Sequence, residues 1–105
     1  MKSRRVVTGP RAVRDYRRIF DWLVDTASPL AAYRTVQRLE RRISTLAVAS
    51  ERGMRRDDLA PGLRVVALGD RAVCAMRVSD REVLVVRVFY GGEDWEAALR
   101  RGEGD

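Results

Sequence analysis

Two helix-start signals in the first half of the chain constrain its fold more than any other feature. Thr8 and Gly9 precede Pro10, and Ser28 precedes Pro29. Each places a capping residue before a proline, whose missing N–H is harmless in a first helical turn. Apolar residues then recur in steps of three and four, which is typical of one helix face. The two predicted stripes are Val13, Tyr16, Phe20, Leu23 and Ala27, then Ala32, Val36, Leu39, Ile43 and Leu46.

Helices separated by so short a break are expected to form an antiparallel hairpin, and each needs an apolar surface to cover. The second half of the chain supplies that surface as predicted strands at residues 63–68, 71–78 and 82–90, and a further strand is predicted at residues 4–8. Gly69-Asp70 fits a two-residue hairpin turn with glycine first. Residues 54–62 read as a loop and residues 95–101 as a short helix capped by Asp94.

This order predicts an α+β fold, β-α-α-β-β-β(-α), with the helical hairpin packed on one face of a small, mainly antiparallel sheet. Alternation along residues 71–78 puts Ala72, Cys74, Met76 and Val78 on the covered face. Arg77 and Arg87 then fall on the other face, which is expected to be more polar.

The length of 105 residues suits one domain, predicted over residues 1–101 with a polar tail at residues 102–105. No apolar stretch of the length of a signal peptide or membrane span is evident, so we expect a cytoplasmic protein.

The composition excludes several kinds of chemistry. The chain has no histidine, which removes imidazole acid–base catalysis, Ser-His and Cys-His pairs, and histidine metal sites. Its single cysteine, Cys74, excludes an intramolecular disulfide and multi-cysteine metal sites, and its place on the covered strand face predicts an inert core residue. No metal and no cofactor are expected.

The charge is divided unevenly along the chain. Residues 1–56 carry 14 basic and 5 acidic side chains, whereas residues 57–105 carry 7 basic and 10 acidic ones, for a net charge of +6. Every basic residue except Lys2 is arginine. A guanidinium fork binds phosphates and carboxylates equally well, so this charge is compatible with nucleic acid or with an acidic protein segment.

Four strings, in order and at the right spacing, resemble the ParE/RelE superfamily of toxins from bacterial toxin–antitoxin pairs. The resemblance covers nearly the whole chain, from Val6 to Leu99. The strings are PRAVRDY at residues 10–16 with Ile19 and Trp22, DLAPGLR at residues 58–64, RAVCAMRV at residues 71–78, and VVRVFYG at residues 85–91 followed by Asp94 and Trp95.

The resemblance implies one of two activities. ParE-type toxins inhibit DNA gyrase by protein–protein contact and are not known as catalysts, whereas RelE-type toxins cut messenger RNA on the ribosome. Both are neutralised by a cognate antitoxin. At Gly92 and Glu93 the chain departs from the family, which often has two arginines there, and this departure weighs more against the ribonuclease than against the gyrase inhibitor.

Site residues follow from this reading. An acidic, amphipathic ParD-like antitoxin is expected to bind Arg14, Tyr16, Arg18, Phe20 and Trp22, and DNA gyrase to contact Tyr90, Asp94 and Trp95. Packing alone would also explain Trp22, Tyr90 and Trp95. Should the chain be a metal-free endoribonuclease instead, Arg64, Arg77, Arg87 and Tyr90 are the candidate catalytic residues, clustered on the open sheet face.

Overall fold

A computed structural model describes residues 3–102 and confirms the predicted α+β fold. Residues 3–102 form a five-stranded sheet and four helices. In chain order the elements are β1 (Arg5–Thr8), α1 (Pro10–Thr26), α2 (Pro29–Ser44), α3 (Leu46–Ala49), β2 (Met54–Arg55), β3 (Leu63–Ala67), β4 (Ala72–Val78), β5 (Glu82–Tyr90) and α4 (Trp95–Arg100). The short α3 and β2 lie in a region where the sequence predicted the end of a helix and a loop.

The strands lie side by side in the order β1-β5-β4-β3-β2. β1 runs parallel to β5, and the other neighbouring pairs are antiparallel. The first strand of the chain is therefore paired to the last, and the helical hairpin crosses between them.

Both long helices begin at the predicted prolines. The Ser28 hydroxyl accepts a hydrogen bond from the Ala31 N–H at 3.0 Å, whereas Gly9 caps α1 without a side-chain bond. The stripe predicted for α1 is rotated, because Val13 is 55% exposed and the buried residues are Ala12, Asp15, Ile19 and Leu23. Asp15 is buried because its carboxylate accepts hydrogen bonds from Arg87 and from the Val88 N–H of β5.

The sheet carries hydrophobic cores on both faces. The hairpin side holds the predicted residues Cys74 and Met76 of β4, together with the stripes of α1 and α2. The opposite face, predicted to be polar, instead holds a second core under α4, formed by Leu63, Val65, Ala75, Val86, Phe89, Ala98 and Leu99. That prediction was wrong because α4 packs Ala98 and Leu99 on this face, and Arg87, which lies opposite Ala75 in the sheet, directs its guanidinium to Asp15 of α1.

The turn between β3 and β4 differs from the predicted two-residue hairpin. Leu68 donates its N–H to the Ala72 carbonyl at 2.8 Å, so three residues, 69–71, make the connection. Gly69 has a φ of +79°, which glycine adopts without strain.

No helix within residues 3–102 is long and apolar enough to cross a membrane. Of the predicted polar tail, residues 103–105 lie outside the described residues. A single domain over residues 1–101 stays a prediction.

Candidate functional site

The open edge of β5 organises the candidate site. β1 pairs with β5 only from Glu82 to Val85, and the Gly9 N–H closes this pairing on the Val85 carbonyl at 2.9 Å. Beyond Val85, the backbone on this edge faces α1 rather than a strand and needs other hydrogen-bond partners. Asp15 accepts from the Val88 N–H at 2.8 Å, and Glu93 accepts from the Tyr90 N–H at 2.7 Å. Two carboxylates thus accept backbone hydrogen bonds that a neighbouring strand would otherwise accept.

Asp15 is also the centre of a buried ion pair. Its carboxylate accepts hydrogen bonds from Arg87, from Nε at 2.8 Å and from Nη2 at 3.1 Å, and both residues are under 10% exposed. The Arg87 guanidinium lies 4.7 Å from the centre of the Phe89 ring. Removing one member of such a pair would leave a buried, uncompensated charge.

Arg18 links this buried pair to the surface. Its Nη1 donates to Asp15 at 2.6 Å, while its Nε and Nη2 donate to the two oxygens of Glu93 at 3.1 and 3.0 Å. Burial alone would lower the pKa of Arg18, but the hydrogen bonds and charges of Asp15 and Glu93 outweigh it and raise that pKa. Arg18 therefore stays charged and ties α1 to the segment that follows β5.

Two aromatic rings lie beside the Arg18–Glu93 pair. Trp22 and Tyr90 meet edge to face with their ring centres 6.2 Å apart, and Trp22 is 47% exposed. They line a cavity of about 330 Å³ together with Arg18, Ile19 and the loop residues Gly91, Gly92 and Glu93. We call this cavity the aromatic cleft. A charged group beside exposed aromatic rings is typical of a protein-binding hot spot.

Gly91 determines how closely the loop approaches the cleft. It has a φ of +67°, and a Cβ atom at this position would lie 3.3 Å from the Trp22 ring. A side chain here would strain the backbone and crowd the indole. The glycine therefore lets the chain turn directly beneath Trp22.

A second opening of about 430 Å³ adjoins the cleft, and Trp22, Tyr90 and Trp95 all line it. Trp95 is partly buried against the second core, with the Arg56 guanidinium 5.6 Å from its ring centre. Asp94 caps α4 as predicted, since its carboxylate accepts from the Ala97 N–H at 3.1 Å. The three residues predicted to contact gyrase thus lie near one another along the loop and the start of α4.

The structure divides the residues predicted to bind an antitoxin. Arg14 is exposed on α1, whereas Tyr16 and Phe20 are partly buried against the core under the hairpin. Burial, with smaller effects from Cys74 and Glu40, raises the pKa of Tyr16. Arg18 and Trp22 line the aromatic cleft, beside Tyr90 from the set assigned to gyrase. The two predicted surfaces therefore meet in one place.

The candidate nuclease residues are not gathered into one cluster. Arg64 lies between Leu63 and Val65, which both belong to the second core, so it points to the opposite face and approaches Glu51 at 3.6 Å. Arg77, by the same alternation, points to the face of the second core. Arg87 is buried against Asp15.

Sequence reasoning missed the roles of Asp15 and Glu93. A signal for Asp15 was present, since it falls at helical spacing between Ala12 and Ile19 on the buried stripe. Glu93 carried no such signal, because its hydrogen bonds to Arg18 and Tyr90 depend on how the loop folds back. Within residues 3–102, no group of three Asp, Glu, Cys or His side chains is placed to hold a metal ion.

Comparisons with known proteins agree with this architecture. A family model described as the ParE toxin of the type II toxin–antitoxin system parDE matches residues 6–95. A solved structure of the chromosomal ParDE toxin–antitoxin system from P. aeruginosa is similar to the chain with a TM-score of 0.74, at 22% sequence identity, covering 85% of this chain and 97% of that chain. At this identity the structural match shows a shared fold. No curated protein matches the sequence.

Proposed function

The chain belongs to the ParE toxin family of type II toxin–antitoxin systems, and we propose that it inhibits DNA gyrase by protein–protein contact and is neutralised by a ParD-like antitoxin. The observation that carries this proposal is the family match over residues 6–95. The target, the antitoxin and a cytoplasmic location, where gyrase acts, are parts of the proposal.

The arrangement of the basic residues favours binding over catalysis. Metal-free RNA cleavage needs a base, an acid and a cation that converge on one phosphate. Arg64 points to the opposite sheet face from Arg77, and the Arg87 guanidinium is engaged by Asp15. The family match and this geometry give the ribosome-dependent ribonuclease no specific support.

We assign the gyrase contact to the segment from Tyr90 to Trp95, as the sequence predicted for Tyr90, Asp94 and Trp95. The segment combines a partly exposed tyrosine, two exposed glycines and the Trp95 ring around one opening. Aromatic side chains at the rim of an opening are frequent anchors in protein interfaces.

A supercoiling assay with purified gyrase and relaxed plasmid tests the target. We expect the chain to block supercoiling at micromolar concentration. Tyr90→Ala should weaken this inhibition at least tenfold, while Tyr33→Ala, which removes an exposed tyrosine of α2 (55% exposed), serves as the matched control and should leave it unchanged. Full gyrase activity in the presence of folded chain would refute the proposed target.

The antitoxin contact is assigned to Arg14, Arg18, Trp22 and the partly buried Tyr16 and Phe20 beneath them. An acidic, amphipathic segment would place an apolar anchor in the aromatic cleft near Trp22, and opposite charge would accelerate its encounter with the chain. We expect Arg14→Glu to lower the association rate with the antitoxin encoded beside this gene, measured by surface plasmon resonance.

Trp22→Ala should instead raise the dissociation rate of that complex, because it removes the anchor site. Met54→Ala, which truncates an exposed side chain on β2, is the control and should change neither rate. Wild-type kinetics for both Arg14→Glu and Trp22→Ala would place the antitoxin elsewhere on the surface.

A further inference from the structure

α2 carries a row of arginines on one flank. At about 100° per residue, Arg34, Arg38, Arg41 and Arg42 all fall within an arc of roughly 100°, and Glu40 falls on the other flank. We call these four arginines the basic flank. All four are exposed, and the flank borders the turn between β3 and β4, where Arg38 and Arg42 line an opening together with Asp70 and Arg71.

The four arginines of the basic flank form no ion pairs with carboxylates of residues 3–102. No carboxylate within residues 3–102 lies in salt-bridge range of Arg34, Arg38, Arg41 or Arg42. Several arginines on other surfaces are paired, such as Arg17 with Asp21 at 3.4 Å and Arg56 with Asp58 at 2.8 Å. Four like charges on one flank repel one another, so an anionic partner would relieve this repulsion.

The spacing of the flank suits a phosphate backbone. With a rise of 1.5 Å per residue, Arg34 and Arg42 lie about 12 Å apart along the helix axis. One strand of duplex DNA carries a charge about every 3.4 Å along its axis, so this length covers three to four phosphates. Guanidinium groups bind phosphate oxygens in a bidentate manner.

The side chains along the flank favour DNA over an acidic protein segment. A protein segment needs apolar anchors as well as charge, but between Arg34 and Arg42 α2 exposes no large hydrophobic side chain; the exposed Leu30 and Tyr33 precede the flank and Val48 follows it. Single-stranded nucleic acid needs exposed aromatic rings for base stacking, and the exposed ring of α2, Tyr33, lies about 80° around the helix from the arc of the arginines. Sequence-independent binding of duplex DNA requires only cationic side chains that contact its phosphates.

From these observations we infer that the basic flank of α2 binds the phosphate backbone of duplex DNA without reading its sequence. The flank borders the segment assigned to gyrase at Tyr90, which lines the same opening as Arg38 and Arg42. The inference does not depend on the identity of the toxin's target, because it concerns the chain and DNA alone.

Fluorescence anisotropy with a labelled 20-base-pair duplex of arbitrary sequence tests the inference. Four phosphate contacts predict a slope of about −3.6 for the logarithm of the binding constant against the logarithm of salt concentration. Affinity should accordingly fall roughly 100-fold between 50 and 200 mM NaCl. A second duplex of unrelated sequence should bind equally well.

Two triple variants with the same net charge separate the flank from general basicity. Replacing Arg34, Arg38 and Arg41 by Gln should weaken binding by about tenfold or more and reduce the slope to about −1. Replacing Arg5, Arg17 and Arg55, whose side chains are 76%, 81% and 63% exposed on other surfaces, by Gln should leave the slope near its wild-type value. Circular dichroism verifies that both variants fold.

Several outcomes would overturn the inference. Equal losses in the two triple variants would show that only net charge matters. Tighter binding of a 20-residue polyglutamate peptide than of the duplex would assign the flank to an acidic protein segment, and tighter binding of a 20-nucleotide oligothymidine would assign it to single strands. Absence of salt-dependent duplex binding at 50 mM NaCl would also refute it. None of these results bears on gyrase inhibition, which the supercoiling assay measures separately.

Discussion

α1 and α2 are alike in length and carry four arginines each, yet they use them in opposite ways. α1 has three aspartates among its 17 residues, and its Arg17 and Arg18 form ion pairs. α2 has a single acidic residue, Glu40, among its 16 residues, and none of its arginines forms an ion pair within residues 3–102. Asp15 and Arg18 of α1 hold the fold together along the open edge of β5, whereas the four arginines of α2 are available to a partner.

Asp15→Ala should cause the largest loss of stability, because Asp15 holds α1 against β5. The substitution leaves Arg87 buried without its counter-ion and removes the acceptor of the Val88 N–H. We expect a loss of about 3–5 kcal/mol in the free energy of unfolding, measured by urea denaturation. Asp15→Asn keeps an acceptor in place and should lose less.

The double substitution Asp15→Ala with Arg87→Met sharpens this prediction. It removes both charges, and most of the lost stability should return, since apolar pairs often replace buried ion pairs without penalty. A double variant as unstable as Asp15→Ala would mean that the Val88 N–H, not the uncompensated guanidinium, dominates.

The next largest loss of stability is expected at alkaline pH, in the core between the helical hairpin and the sheet. Burial raises the pKa of Cys74 to about 12 and raises that of Tyr16 above its ordinary value. The stabilising contribution of both groups is complete below their unfolded pKa values and is lost as pH rises through the folded ones. The free energy of unfolding should therefore fall by about 3 kcal/mol from pH 8 to pH 10.5. Cys74→Val should reduce this fall, and an unchanged fall would assign it to Tyr16 or to other groups.

Glu93→Ala should have a smaller effect. The Arg18–Glu93 pair is partly exposed, with side chains 41% and 36% accessible, so we expect a loss of at most about 1 kcal/mol. The Tyr90 N–H also loses its acceptor, so the loop should gain mobility. Faster amide exchange at Tyr90 with unchanged exchange at Val88 would confirm this; faster exchange at both would show that Glu93 also holds the Asp15 pair.

The smallest effect on stability is expected on α2. Replacing Arg34, Arg38 and Arg41 by Gln should change the free energy of unfolding by less than about 0.5 kcal/mol per site, because the substitutions break no ion pair within residues 3–102. A thermal melt of this variant beside Asp15→Ala provides the comparison. A large destabilisation would mean that the arginines of α2 serve the fold, and the contrast between the helices would fail.

The sequence predicted the elements well because periodicity and capping are local. Pro10 and Pro29 begin the two helices as expected, and β4 alternates as expected through Cys74 and Met76. Prediction from the sequence failed where a partner distant in the chain determines whether a residue is buried. Asp15 was not included in the buried stripe predicted for α1, but its hydrogen bonds with Arg87 and the Val88 N–H bury it.

The candidate site was predicted less well than the fold, for the same reason. Arg87 was assigned to an open face, but α4 covers that face and the Arg87 guanidinium reaches Asp15 of α1. Trp22 and Tyr90 were assigned to separate surfaces, since nothing local relates residues so far apart in the chain. Only the packing of α1 against β5 brings the two rings together.

The parallel pairing of β1 with β5 has a consequence for how the molecule is made. Arg5 lies opposite Glu82, so this pairing requires 77 intervening steps of chain. At synthesis rates of about 5–20 residues per second, the first strand waits roughly 4–15 seconds for its neighbour to be translated. Contacts so distant in sequence also slow folding itself. Trp22 of α1 likewise meets the Tyr90 ring, and the wall of the aromatic cleft closes, only after β5 and the loop behind it have been translated.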